Sequence, residues 1–389
     1  GTNELLQGTA SSSIGRGGNI NVIANNLQVS DGAVLDATTV TNSTGGDITV
    51  SANTLSVDKD GKILTSTAGA GDAGKLTIQP RSNGQSLRVN FQKGAQISAS
   101  TSSTGKGGAI ALKAPESITV TGDGSIISAE TSGNGTGGDL SLSTGKLRVE
   151  NGAKVSVNST NSGSAGNLIV DANSIYLNNQ GKISADTRGG GGNIQLKTPL
   201  LVLRQGSSIT TNASGSEIKG GNIDIDAKNG FIVALPQENS DIRADSADFR
   251  GGNITINNAA GIFGIQPRKE PSLQTSDITV KGATADLSGT FQVNDFNVDP
   301  SKGLVPLTID VVDVARLVDD NVCVRTANST FTYTGRGGLP LSPNNTFNSD
   351  ANWEDWRLTT VTRQTQRDSE SRKETNSSEP TQIVEAQSW

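Results

Sequence analysis

The feature that most constrains this chain is a short string that returns nine times: a small residue, a glycine, one variable residue and then an aliphatic. It appears as Gly17-Gly18-Asn19-Ile20, Gly45-Gly46-Asp47-Ile48, Ala73-Gly74-Lys75-Leu76, Gly107-Gly108-Ala109-Ile110 and Gly137-Gly138-Asp139-Leu140. It continues as Ala165-Gly166-Asn167-Leu168, Gly191-Gly192-Asn193-Ile194, Gly220-Gly221-Asn222-Ile223 and Gly251-Gly252-Asn253-Ile254. Successive second glycines stand 28, 28, 34, 30, 28, 26, 29 and 31 residues apart. A period of this size marks a stacked repeat, in which each unit buries its apolar face only against its neighbours.

Within a unit the pattern is that of strands with one buried face. Ile20, Val22 and Ala24 alternate with polar residues, followed by Leu27 and Val29 and, beyond Asp31-Gly32, by Ala33, Leu35 and Ala37. That is three short strands per unit. From the first aliphatic of strand two to the main aliphatic of strand three the separation is 8 in Leu27/Leu35, Leu55/Ile63, Leu147/Val155, Ile175/Ile183 and Leu201/Ile209. It is 9 for Ile118/Ile127 and 10 for Leu87/Ile97, with the extra residues assigned to the turns at Gly124 and Gly94. Held spacing of this kind matters only if one face is buried, because a one-residue slip turns every side chain over.

Composition agrees with a thin, long core: 32% hydrophobic and 3% aromatic residues cannot fill a wide globular one. The expected fold is all-β, a right-handed parallel β-helix of three strands per coil with about nine to ten rungs. Stacked at about 4.8 Å, nine rungs give a rod of roughly 40 Å. The rung glycines are expected to supply positive φ at the corners, where Asn and Asp are also tolerated. The column Thr39, Thr67, Thr101, Thr131 and Thr187 is read as corner packing of β-branched residues. After Gly252 the pattern loosens, and Pro236, Pro267 and Pro271 interrupt the strand-like stretches Phe231 to Asp248 and Ile262 to Ala283, so irregular last coils are expected.

The solenoid is assigned to 1–298. Val311, Val312, Val314, Ala315, Leu317 and Val318 suit a short helix in a C-terminal capping module over 299–357, and 358–389 reads as a disordered polar tail. A cap is needed because an uncovered last coil exposes unpaired strand groups. The chain opens at Gly1, has no Met and shows no signal peptide, which reads as a mature fragment of a longer precursor.

The net charge of −6 is scattered and no Lys/Arg run could neutralise a phosphate backbone, so nucleic acid is discounted as a partner. No apolar run is long enough to span a membrane. Cys323 is the only cysteine, which excludes an internal disulfide framework and suggests a small buried apolar residue.

Histidine is absent, which removes His bases, His metal ligands and Ser-His-Asp triads together. A lyase could still use an Arg base beside Asp-bound calcium. The acidic groups that qualify are Asp58 and Asp60, Asp224 and Asp226, and Asp241, Asp245 and Asp248 before Arg250. Charges on outer faces and turns are ordinarily solvated, so no catalytic, cofactor-binding or metal-binding residue is assigned. Gly69 to Gly74 (GAGDAG) and Gly133 to Gly138 (GNGTGG) match a dinucleotide fingerprint literally, but neither opens a helix and both read as rung turns.

The rungs, together with DPSKGLV at Asp299 to Val305, LVDDNVC at Leu317 to Cys323, TGRGGLP at Thr334 to Pro340 and WEDWR at Trp353 to Arg357, resemble the C-terminal part of cyanobacterial filamentous-haemagglutinin-like exoproteins. The likeness runs from about residue 10 to Arg357. It implies two-partner secretion through an outer-membrane transporter that recognises an N-terminal domain not included in this chain. It further implies an extracellular or outer-surface location on a Gram-negative-type bacterium, adhesin-like attachment to surfaces or matrix carbohydrate, and no enzymatic activity. Two alternatives stand beside it. One is a polysaccharide-cleaving, pectate-lyase-like β-helix. The other is an ice-binding solenoid, disfavoured because Glu130, Asp186 and Asn212 interrupt the threonine array. Specificity elements are expected in the turn Pro80 to Gly84 and the loop Ala234 to Ser240.

Overall fold

The computed structural model describes residues 4–6 and 16–294, all within one compact unit, Gly1–Pro306. The expected capping module over 299–357, its helix, Cys323 and the tail 358–389 lie outside the described residues. Those described form an all-β solenoid. Its strands make one sheet of eleven and one of fifteen, and every pairing between them is parallel. The nine sequence anchors bound eight regular turns, and the only helical element among the described residues is the single 3₁₀ turn Ala285–Leu287.

The nine third strands from Val34–Asp36 through Asp277–Thr279, with Glu4–Leu6 and Gln266–Pro267 at the two margins, build the eleven-stranded sheet, while first and second strands share the other. In Leu140–Glu150, Ala165–Asn178, Asn222–Ala234 and Asn253–Phe263 the first and second strands run on as one. Three separate strands per unit were expected; in these turns the corner between the first two is shallow enough for pairing to continue.

The aliphatic columns stack in register. Ile20, Ile48, Leu76, Ile110, Leu140, Leu168, Ile194, Ile223 and Ile254 lie one above another, and all are buried. In the third strands Ile63, Ile97, Ile127, Val155, Ile183, Ile209, Ile242 and Ile278 do the same. One expected register is corrected: the partner of Leu55 is Val89, not Leu87. The strand-two to strand-three separation in that turn is therefore 8, from Val89 to Ile97, and the surplus of the 34-residue unit sits in the exposed loop after strand Leu76–Pro80.

The glycines act differently from expectation. Positive φ is found at the corner between second and third strands, at Asp31-Gly32, Lys59-Asp60, Asn151-Gly152, Asn179-Gln180 and Gln205-Gly206. Of the rung anchors only Gly191 and Gly192 have it. The others are required by close approach. A Cβ on Gly74, Gly108, Gly138 or Gly166 would lie 1.9 to 2.0 Å from the carbonyl oxygen of the glycine one turn below. The column extends to Gly289, whose Cβ would meet the Gly252 carbonyl oxygen at 1.7 Å. Gly71, Gly105, Gly135 and Gly163 form a second such stack, which takes in the middle glycines of the two fingerprint-like strings, Gly71 and Gly135.

Asn and Asp after the anchors are not left-handed either. They form a side-chain ladder along the outside. Asn19 Oδ1 accepts the Asp47 N–H at 2.9 Å and Asp47 Oδ1 the Lys75 N–H at 2.7 Å. After an interruption at Ala109 the ladder resumes: Asp139 Oδ1 accepts the Asn167 N–H at 2.8 Å, and Asn193 Oδ1 the Asn222 N–H at 3.1 Å. Asn222 and Asn253 continue it to Thr290.

Past Asn253–Phe263 the coils are irregular, as expected. Pro267 sits in the two-residue strand Gln266–Pro267 at the margin of its sheet, the place where a missing N–H is tolerated.

Candidate functional site

The outer side of the third strands carries a second polar rail, three residues beyond each strand's central aliphatic. Its members change type from turn to turn but hold one place in the coil. Ser66 Oγ accepts the Ser100 N–H at 3.3 Å, and Ser100 Oγ accepts the Glu130 N–H at 3.2 Å. Glu130 Oε1 accepts from Asn158 Nδ2 at 3.1 Å, and Asn158 Oδ1 from the Asp186 N–H at 2.8 Å. Asp186 Oδ1 takes the Asn212 N–H at 2.8 Å, Asn212 Oδ1 the Asp245 N–H at 3.0 Å, and Asp245 Oδ1 the Lys281 N–H at 2.8 Å. Each of these side chains is fixed by the backbone of the following turn except Glu130, which is held by the side chains of Asn158 and Ser156. A groove runs over this rail, with one hollow of about 550 Å³ lined by Asn158, Asp186, Arg188 and Asn212. A second hollow, of about 420 Å³, shares Asn212 and Ala213 and extends to Asp245 and Lys281.

The acidic groups singled out in the sequence do not converge on one point. Asp241 and Asp245 are both buried, whereas Asp248 and Arg250 are exposed. Asp248 Oδ2 accepts the Gly215 N–H at 2.9 Å, closing a loop. Asp241 instead meets Asp277, which sequence reading missed because it lies 36 residues away: the Asp277 N–H donates to Asp241 Oδ1 at 2.9 Å. Burial pushes the Asp241 carboxyl above its ordinary range; the Asp277 N–H works against this, and the Asp277 charge adds to it. Asp277 is wholly buried and spends its oxygens on Arg268 Nε at 2.8 Å, Ser272 N–H at 2.7 Å and Thr275 Oγ1 at 2.9 Å. Asp245 Oδ2 accepts from Arg243 Nε and Thr279 Oγ1, both at 2.9 Å.

Asp224 and Asp226 accept amide protons from Asn257 and Asn258 of the next turn, at 2.9 and 3.0 Å. The Asn258 contact holds the Asp226 carboxyl below its usual range despite partial burial. Asp60 stands in the left-handed corner with Lys59, and Asp58 precedes it. No group of three or more His, Cys, Asp or Glu among the described residues is arranged to hold a metal ion. Nor is any helix among them long and apolar enough to cross a membrane.

Thr39, Thr67, Thr101 and Thr131 stack by single bridges, with Ser159 as the next member; Thr187 continues through Ala213 to Ser246. All four of the leading threonines are buried, and the Thr67 hydroxyl has no hydrogen-bond partner. Packing is what this column does. The loop Ala234 to Ser240 is pinned, since Glu238 takes Arg204 Nε at 2.7 Å and Nη2 at 2.8 Å. The guanidinium holds the Glu238 carboxyl below its usual range. In the turn Pro80 to Gly84, Arg81 reaches across two turns to Asn25.

A different face stands out for apolarity. On the outside of the second strands Tyr176, Val202, Val233 and Phe263 form one column, and Leu200 and Phe231 begin another. Phe231 and Phe263 are about half exposed and lie 6.0 Å apart, while Arg148 sits 5.0 Å over the Tyr176 ring. No family model, curated protein or solved structure matches the chain.

Proposed function

We propose that the chain is the rod of a secreted or cell-surface adhesin, a stiff solenoid that attaches to cells, surfaces or matrix polysaccharide through many weak contacts. The observation that carries this reading is the repetition of polar groups along the outside. The two rails present a hydrogen-bonding side chain at the same place in turn after turn, so binding groups recur along the axis instead of converging on one centre. Contacts that are individually weak gain strength when several are engaged together. The resemblance to filamentous-haemagglutinin-like exoproteins points the same way and supplies the route, export through an outer-membrane transporter to the surface of a Gram-negative-type bacterium.

Against a pectate-lyase-like enzyme stands the use already made of the acids: Asp241, Asp245 and Asp277 hold backbone N–H groups and neighbouring cations. Against an ice-binding face stands the burial of the threonine column. Beads coated with the purified chain are expected to attach to cells or matrix polysaccharide, with retention rising steeply with coating density. Release of unsaturated products from polygalacturonate, dependent on added calcium, would contradict the reading and favour the lyase.

A further inference from the structure

Resting on that adhesive reading, we propose that the groove over Asn158, Asp186, Asn212 and Asp245 is where the rod takes an extended, electrically neutral polysaccharide. Shape is the first argument. The two hollows of about 550 and 420 Å³ share Asn212 and Ala213, and so make one channel parallel to the axis. Its walls are the exposed residues Thr160, Arg188, Ser214, Ala247 and Ala283, all small except Arg188.

Pitch is the second. One polar side chain stands on the floor per turn, at the coil spacing of about 4.8 Å, close to the advance of one pyranose residue in an extended glycan. The floor alternates Asn158, Asp186, Asn212 and Asp245, so every second sugar meets a like group. Each floor side chain is already held by the backbone of the next turn, so little rotamer freedom remains to be lost on binding.

Charge is the third. Asp186 pairs with Lys182 at 2.9 Å, Asp245 with Arg243 at 2.8 Å, and Lys281 with Glu270 at 2.7 Å. The paired charges offer neither a row of free cations for a polyanion nor a row of free carboxylates for a polycation. Among the described residues the Arg188 guanidinium and Asn212 Nδ2 have no partner. These free donors lie mid-channel, suited to the hydroxyl and ring oxygens of a neutral sugar.

The test uses the full chain and a panel of immobilised β-1,4-glucan, β-1,4-mannan and unsubstituted xylan. At least one is expected to retain the protein, with little change between roughly 0.05 and 0.5 M salt. Thr160→Trp and Ser214→Trp fill the channel from exposed positions; each is expected to keep the wild-type melting temperature and to weaken retention at least tenfold. The double change Phe231→Ser and Phe263→Ser, on the other outer face, is expected to leave retention intact. Retention by none of the glycans while cells are still bound overturns the groove assignment and spares the adhesive reading. Equal retention of the Trp variants, or retention abolished by salt, also overturns it. Failure to bind both cells and glycans removes the adhesive reading as well.

Discussion

At single residues the solenoid is most sensitive where backbones touch. Apart from Gly191 and Gly192, the anchor glycines lack positive φ but have no room for a side chain, so the expected cost of a methyl group separates two kinds of glycine. Gly138→Ala would drive its Cβ to 2.0 Å from the Gly108 carbonyl oxygen, and a loss of about 2 to 3 kcal/mol is expected from the forced shift. Gly32→Ala meets nothing within 4 Å and suffers only from its φ of 76°, for which about 1 kcal/mol is expected. Urea denaturation of the two variants checks the order; equal losses would mean that conformation, not contact, selects these glycines. Asp241 offers a pH test. Its folded-state carboxyl lies above the unfolded value, so the native state binds the proton more tightly and the group destabilises the fold once ionised. Asp241→Asn is therefore expected to raise the melting temperature at neutral and alkaline pH. The gain should shrink as pH falls through the raised value, where the wild-type carboxyl is protonated. A variant that melts lower than wild type at pH 8 would show that the contact to Asp277 outweighs the buried charge.

At the scale of strands and loops, the ladders tie each turn to the next. Asn193 accepts both the backbone and side-chain N–H of Asn222 and donates to Asn167. Asn193→Ala is expected to cost about 1 kcal/mol, read by thermal or urea unfolding; no loss would reduce the outer ladder to a passive solvated row. Loop Ala234 to Ser240 hangs on one bidentate pair. Arg204→Ala is expected to speed amide exchange at Glu238 and Asn239 while leaving strand Leu200–Leu203 protected. Unchanged exchange would assign the order of the loop to buried Ser240 and the bond from Ser276 to the Leu235 carbonyl. Much of this level was legible in the chain itself. The aliphatic columns follow from spacing alone because an in-register stack repeats them. Leu87 misled because it too is apolar and buried, one pleat from the true partner Val89. The Asn19 series was visible but read as turn chemistry, since a side chain bonding to the next turn leaves no local trace. The rail under the groove was half seen, in Glu130, Asp186 and Asn212; Ser66, Ser100 and Asn158 escaped, and Asp245 was grouped with Asp241 and Asp248, because position is kept there while residue type is not.

At the level of the whole solenoid, each turn contacts mainly the turns above and below, so stability is a sum of similar units and their interfaces. Leu27 and Leu35 in the first regular turn are only partly buried, whereas their equivalents Leu55 and Ile63 are completely so. Amide exchange is expected to begin in the first turn and to be slowest between Ile110 and Leu203. The decisive measurement is excision of one turn. Removing Asp47 to Gly74 joins Gly46 to Lys75, which then takes the place of Asp47, its equivalent one turn below. The shortened protein is expected to keep its β circular dichroism, a cooperative melt and exchange protection in every remaining turn. Loss of cooperative melting and of protection throughout would show a single indivisible core and contradict a solenoid of interchangeable turns.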